Sequence, residues 1–115
     1  MKKIPVLLLI ATVSFFQYCA SSKKNTTAPV HVSLTYAANV QSTVQANCSP
    51  CHMPPKGSKK PLDTYAAVKD NIGDIITRIK LNPGERGFMP FKHEKLSDSV
   101  INIFVQWNTD GLLEK

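Results

Sequence analysis

The chain has 115 residues, of which 14 are Lys or Arg and 8 are Asp or Glu, and 43% of its residues are hydrophobic. This length allows one small globular domain and excludes a multidomain enzyme. The formal charge of +6 comes without a dense Lys/Arg block, so the composition gives no indication of a nucleic-acid partner. Because so small a domain buries a modest share of its surface, we expect a covalent cross-link or a cofactor to complete its core.

The N-terminus has the pattern of an export signal. Lys2 and Lys3 precede an apolar run, residues 4–16, which is too short for a membrane span of about 20 residues. We therefore predict that residues 1–18 are a signal peptide removed on export. Its removal takes away two lysines and no acidic residue, and lowers the formal charge from +6 to +4.

Cys19 directly follows this apolar run. Its position resembles the cleavage site of bacterial lipoproteins, which implies a lipidated Cys19 and a protein held on a membrane face in the periplasm. Two fatty chains on one residue anchor a protein stably. The alternative is ordinary cleavage at small residues such as Ala20 and Ser22, which would release a soluble protein. Residues 19–32 are polar and aperiodic, and we expect a flexible linker or lipid tether there.

Residues 33–115 form the expected domain, and its first half begins with a helix. Tyr36, Val40 and Val44 recur every four residues, which predicts a helix capped by Ser33 and ending near Asn47. Prolines and a glycine then favour an irregular loop over residues 49–61.

Two further helical segments and an irregular loop follow. Residues 64–69 fit a short helix, and the isoleucines of the next segment have helical spacing at positions 72, 75, 76 and 79. Residues 82–93 have no period, yet they carry Phe88, Met89 and Phe91, which are unusual residues for a solvated loop.

The last element is a helix that Ser97 can cap and Gly111 can end. Its predicted buried face is Val100, Ile103, Phe104 and Trp107. No segment alternates as a strand. The expected fold is therefore all-α, with about four helices.

Cys48-Ser49-Pro50-Cys51-His52 is the C-x-x-C-H pattern of covalent c-type haem attachment. Two thiols at this spacing reach the two vinyl groups of one porphyrin, and the adjoining His52 offers its imidazole to the iron. The motif therefore predicts haem c as the cofactor, with Cys48 and Cys51 as attachment residues and His52 as an axial ligand.

Other chemistries of this motif remain open. A thioredoxin-like redox site would place the C-x-x-C at the start of a helix after a strand, whereas here a helical pattern precedes Cys48. A structural zinc site needs four ligands, and beyond Cys48 and Cys51 the sequence offers scattered histidines. A disulfide between Cys48 and Cys51 would close a very short loop. A lipoprotein without haem, acting as a binding module, would require the motif to be accidental.

Elimination suggests Met89 as the second axial ligand. Met1 is lost with the signal peptide, and Met53 adjoins His52 and is tied to that side of the iron. Met89 lies in an apolar loop in which Phe88 and Phe91 could pack on the porphyrin. The alternatives are that Met89 is core filler, or that His93, and less readily His31, completes the site.

The chain resembles a small single-haem cytochrome c. The features that carry the resemblance are the C-x-x-C-H motif, Met89-Pro90, Leu96-Ser97, and Trp107 with Gly111. The resemblance covers about residues 33–113. It implies a small class I cytochrome c-like fold around one covalently bound haem, with crossing terminal helices. It implies Cys48 and Cys51 as haem-binding residues, His52 as the proximal ligand and Met89 as the distal ligand.

With both axial positions filled, the expected function is electron transfer in the periplasm, and no enzyme activity. Basic residues near the motif and the Met89 loop could attract acidic redox partner proteins; they are Lys56, Lys59, Lys60, Arg86, Lys92 and Lys95. The alternative function is a haem-based gas sensor or peroxidase-like protein with an open or labile sixth position. Arg86, near Met89, is the one residue that supports that alternative, and a surface position or a contact with a haem propionate explains it more readily.

Overall fold

The computed structural model describes residues 31–115. The predicted signal peptide, Cys19 and the linker up to residue 30 lie outside the described residues. The first element is a π-helical turn (Tyr36–Val40) that continues into α1 (Gln41–Cys48). It is followed by α2 (Tyr65–Asp70), α3 (Ile72–Lys80) and α4 (Asp98–Thr109). Residues 31–115 contain no strand, so the described domain is all-α as predicted. No helix in this part of the chain is long and apolar enough to cross a membrane.

The first helix begins later than predicted, because Thr35 and not Ser33 is its N-cap. Thr35 has extended backbone, and its side chain accepts a hydrogen bond from the Ala38 N–H at 3.3 Å. The preceding residue is bound elsewhere, since the Leu34 N–H donates to Asp110 Oδ2 at 2.7 Å. The predicted end near Asn47 is close to the observed end of α1 at Cys48.

The other helices follow the sequence pattern with one shift. Thr64 caps α2, Ser97 caps α4 as predicted, and the isoleucines at positions 72, 75 and 79 of α3 are buried. The buried face of α4 consists of Ile101, Phe104 and Trp107. Val100 and Ile103, which were predicted in that face, are half-buried at its edges, because the π-helical turn and α3 both pack against α4.

The C-terminal segment covers the start of the first helix, whereas the end of α1 borders the candidate site. At one end, the Leu113 carbonyl accepts hydrogen bonds from the Tyr36 N–H and from Trp107 Nε1, both at 2.8 Å. The C-terminal segment therefore closes this end. Cys48 ends α1 at the other end, about 18 Å from Tyr36 at 1.5 Å per residue. The candidate site is formed there.

Candidate functional site

A cavity of about 870 Å³ opens beside the C-terminal end of α1. Its lining includes every residue predicted as a ligand and the main alternative, namely Cys48, Cys51, His52, Met89 and His93. Its volume lies in the range of about 300–1,000 Å³ that is usual for ligand pockets. Met53 instead packs against the hydrophobic core.

The walls of this cavity divide into an apolar part and a polar rim. Core side chains such as Leu62, Ile75 and Phe104 form the apolar part. The polar rim is formed by Lys59, Lys60, Asn71, Asp74 and Arg78. The last three of these were not predicted from the sequence. Their spacing of three and four residues, beside the isoleucines of α3, is the signal that could have placed them on one side of the helix.

The C-x-x-C-H motif turns sharply away from the end of α1. The His52 N–H donates to the Cys48 carbonyl at 3.0 Å, and the Met53 N–H donates to the Pro50 carbonyl at 3.1 Å. These bonds keep the turn tight, so the two cysteines and His52 line one cavity. Backbone hydrogen bonds within the motif itself therefore fix the conformation of this turn.

A strap, residues 59–62, then folds back over this turn. The Lys59 N–H donates to the Cys51 carbonyl at 3.1 Å, and the Leu62 N–H donates to the His52 carbonyl at 2.9 Å. Between them, His52 Nδ1 lies 2.6 Å from the carbonyl oxygen of Lys60. Because a carbonyl can only accept, Nδ1 is the donor, and in the neutral imidazole the lone pair is then on Nε2. A metal-binding histidine is commonly oriented in this way, with its other ring nitrogen donating to a carbonyl.

Gly57, two residues before the strap, lies directly against the backbone of the motif. A Cβ at this position would lie 2.4 Å from the Cys51 carbonyl oxygen and 2.7 Å from that of Pro50. The Gly57 N–H also donates to the Met53 carbonyl at 2.8 Å. No side chain can occupy this space without moving backbone atoms.

Cys48 and Cys51 are both free thiols in this structure. Burial raises the pKa of the Cys48 thiol to about 11. Cys48 also ends a helix, where the helix dipole opposes negative charge. Nucleophilic cysteines need the opposite environment, a helix N-terminus or nearby cations that lower the pKa. The position and burial of Cys48 thus disfavour thioredoxin-like chemistry.

The loop that carries Met89, residues 82–93, covers another side of the cavity. Met89 is half-buried, and its N–H donates to the Arg78 carbonyl at 3.3 Å. Phe91 also lines the cavity and is 66% exposed. Phe88, predicted to contact the same ligand, is buried beside a second, smaller cavity of about 440 Å³. Phe88 does not line the candidate site, whereas Met89 and Phe91 line both cavities.

Four of the basic residues predicted around the site are distributed between the two cavities. Lys59 and Lys60 line the larger cavity, and the Lys60 ammonium donates to Asn71 Oδ1. Arg86 and Lys92 line the smaller cavity instead. The arginine at the candidate site is Arg78.

Comparisons of the chain with protein families, with curated proteins and with solved structures give no match. Within residues 31–115, no group of three or more His, Cys, Asp and Glu side chains is arranged to hold a metal ion.

Proposed function

We propose that this chain is an exported electron-transfer protein with a small class I cytochrome c-like fold around one covalently attached haem c. Cys48 and Cys51 would carry the thioether bonds, His52 would be the proximal ligand and Met89 the distal ligand. The observation that carries the proposal is their arrangement around one cavity, with the Nδ1 proton of His52 held by the Lys60 carbonyl.

The residues present fit this cofactor. The apolar wall suits a porphyrin ring, and the tautomer of His52 leaves Nε2 free to bind iron. The cations Lys59 and Lys60 of the polar rim suit the carboxylates of a haem. A haem iron needs only two axial protein atoms, so the site requires no cluster of acidic or histidine ligands.

When bound, the haem would supply reversible one-electron exchange at its iron. The chain would orient His52 through the Lys60 carbonyl and exclude water with side chains such as Leu62 and Phe104. Met89 would offer a thioether, which raises the reduction potential relative to a second imidazole. With both axial positions filled, electron transfer is favoured over binding of a small molecule.

The visible spectrum of the exported protein tests this proposal. The full chain is produced in a host with c-type haem maturation, extracted with acid acetone, and examined oxidised and reduced. We expect haem that resists extraction, a sharp low-spin reduced spectrum and a sulfur-to-iron charge-transfer band when oxidised. The double variant Cys48→Ser/Cys51→Ser should lose covalent haem, whereas the control Cys19→Ser should keep it. A colourless wild-type protein would refute the proposal.

Carbon monoxide separates this function from the gas-sensor or peroxidase-like alternative. Reduced protein with Met89 on the iron should bind carbon monoxide slowly and weakly, whereas an open sixth position would bind it at once. Arg86 does not line the candidate site, but it lines the smaller cavity together with Met89. Immediate binding by the wild-type protein would favour the alternative.

The choice between Met89 and His93 has its own test. Both side chains line the cavity, but a thioether and an imidazole set different potentials. Met89→His should lower the midpoint potential and abolish the sulfur-to-iron band. His93→Gln should leave both unchanged. If His93→Gln changes the spectrum and Met89→His does not, His93 is the distal ligand.

We also propose that the protein is a periplasmic lipoprotein anchored through Cys19, with acidic redox proteins as partners. The signal-like sequence before Cys19 supports the anchor, and Lys59 and Lys60 at the cavity support the choice of partner. The wild-type protein should partition into detergent on phase separation, and Cys19→Ser should partition into water. Equal partitioning of the two proteins would contradict the anchor.

A further inference from the structure

One residue of α3 makes the hydrogen bonds that join this helix to the Met89 loop, residues 82–93. The Met89 N–H donates to the Arg78 carbonyl at 3.3 Å, and Arg78 Nη1 donates to the Gly87 carbonyl at 3.4 Å. In the part of the chain that the structure describes, both hydrogen bonds between the loop and α3 involve Arg78. Other backbone bonds, such as that from Phe88 to Glu85, close within the loop.

The guanidinium of Arg78 is held in the orientation that this contact needs. Its Nε donates to Asp74 Oδ2 at 2.8 Å, one turn earlier on α3. Gly87 has a φ of +95°, and a Cβ there would lie 3.2 Å from Arg78 Nη1. A residue without a side chain therefore lets the guanidinium approach the loop backbone closely. Asp74, Arg78 and Gly87 together form a connected contact from α3 to the loop.

We infer that Arg78, oriented by Asp74, is a positioning residue that latches the Met89 loop to α3 and keeps the Met89 side chain at the cavity. The consequence for the iron rests on the proposed function, in which Met89 is the distal ligand. The latch itself rests only on contacts within this chain. A planar guanidinium suits this role because it donates to two acceptors in a fixed geometry.

Amide hydrogen exchange tests the latch directly. Without the side-chain contact, the loop should open more often and expose the Met89 N–H. We expect Arg78→Gln to accelerate exchange at Met89 about three- to ten-fold, the effect of losing roughly one hydrogen bond. The matched control is Arg86→Gln, which removes the same charge from an exposed position in the loop and should leave exchange at Met89 unchanged.

Imidazole binding measures the same opening in haem-loaded protein. Added imidazole can bind the oxidised iron only when Met89 has left it, so its apparent affinity scales with the open fraction. Arg78→Gln should increase that affinity by about the same three- to ten-fold. Arg78→Lys should behave like Arg78→Gln, because an ammonium keeps the charge but not the fork geometry. Rescue by Arg78→Lys would mean that charge alone is responsible, and would overturn the latch.

The outcomes separate this inference from the proposed function. Wild-type protein without covalent haem would refute the function, and exchange at Met89 would still decide the latch. Wild-type protein with haem and the sulfur-to-iron band, combined with an Arg78→Gln variant that matches Arg86→Gln in both measurements, would refute the latch and leave the function standing.

Discussion

The same change, glycine to alanine, should have opposite effects at two positions of this domain. At Gly57 the new Cβ would lie 2.4 Å from the Cys51 carbonyl oxygen and 2.7 Å from that of Pro50. Both neighbours are backbone atoms and cannot rotate away, so the C-x-x-C-H turn or the strap must move. Overpacking of this kind costs about 1–3 kcal/mol in the free energy of unfolding.

Gly73 is the matched control. It lies in the first turn of α3, is exposed, and a Cβ there would meet no atom within 4 Å. Alanine is the better helix former, and Gly73→Ala should stabilise the domain by about 0.5 kcal/mol. The difference between the two variants therefore depends on the close approach at Gly57, and not on glycine's greater freedom in the unfolded chain.

Thermal unfolding and haem content together check this prediction. At about 4–8 °C per kcal/mol for a domain of this size, Gly57→Ala should unfold at least about 4 °C below the wild type. Gly73→Ala should unfold slightly above it. Gly57→Ala should also be exported with less covalent haem per chain, because Cys51 and His52 share the displaced turn. Equal unfolding temperatures and equal haem content in Gly57→Ala and wild-type protein would show that the close approach at Gly57 does not constrain the motif.

Three further predictions use other contacts. Tyr65→Phe removes the hydroxyl that donates to the Leu112 carbonyl at 2.9 Å and should cost about 0.5–1.5 kcal/mol in urea unfolding; no loss would mean that water replaces the bond. The hydrogen bond from the Leu34 N–H is the main cause of a lowered pKa at Asp110. This carboxylate therefore stabilises the fold at pH values above its ordinary pKa of 3.8, and the stabilisation is lost as the pH falls through its lower pKa in the folded state. The stability difference between wild type and Asp110→Asn should thus be present at about pH 7 and be smaller at about pH 3, and an equal difference at the two pH values would contradict the assignment. Lys59→Gln should slow oxidation of the reduced protein by ferricyanide, an anion, and weaken its salt dependence, whereas unchanged rates would show that the site's charge does not steer reactants.

Helix positions were accessible from the sequence because they follow from local rules. Thr64 and Ser97 cap helices where a short polar residue precedes a periodic apolar segment. The start of the first helix was predicted wrongly because a distant contact decides it. Asp110, 76 residues further along the chain, binds the Leu34 N–H, and the helix begins only after that extended segment.

The buried face of α4 shows a second limit of the sequence pattern. Ile101, Val100 and Ile103 are all aliphatic, so periodicity alone cannot decide which of them faces the core. The answer depends on the direction from which the first helix and α3 approach α4. This is tertiary information that a hydrophobic pattern does not contain.

In the candidate site, too, some residues could be predicted from the sequence and others could not. Cys48, Cys51 and His52 could be found because their chemistry requires fixed spacing within one turn of chain. The groups that would hold them in place leave no comparable pattern. The acceptor for His52 is a main-chain carbonyl that any residue at position 60 would provide. The close approach of the chain to the motif at Gly57 depends on the absence of a side chain there. Reactive groups of a site are thus specified by residue type, whereas their orientation is specified by backbone geometry. For this reason Arg78, whose backbone and side chain both contact the Met89 loop, could be recognised only after the chain was folded.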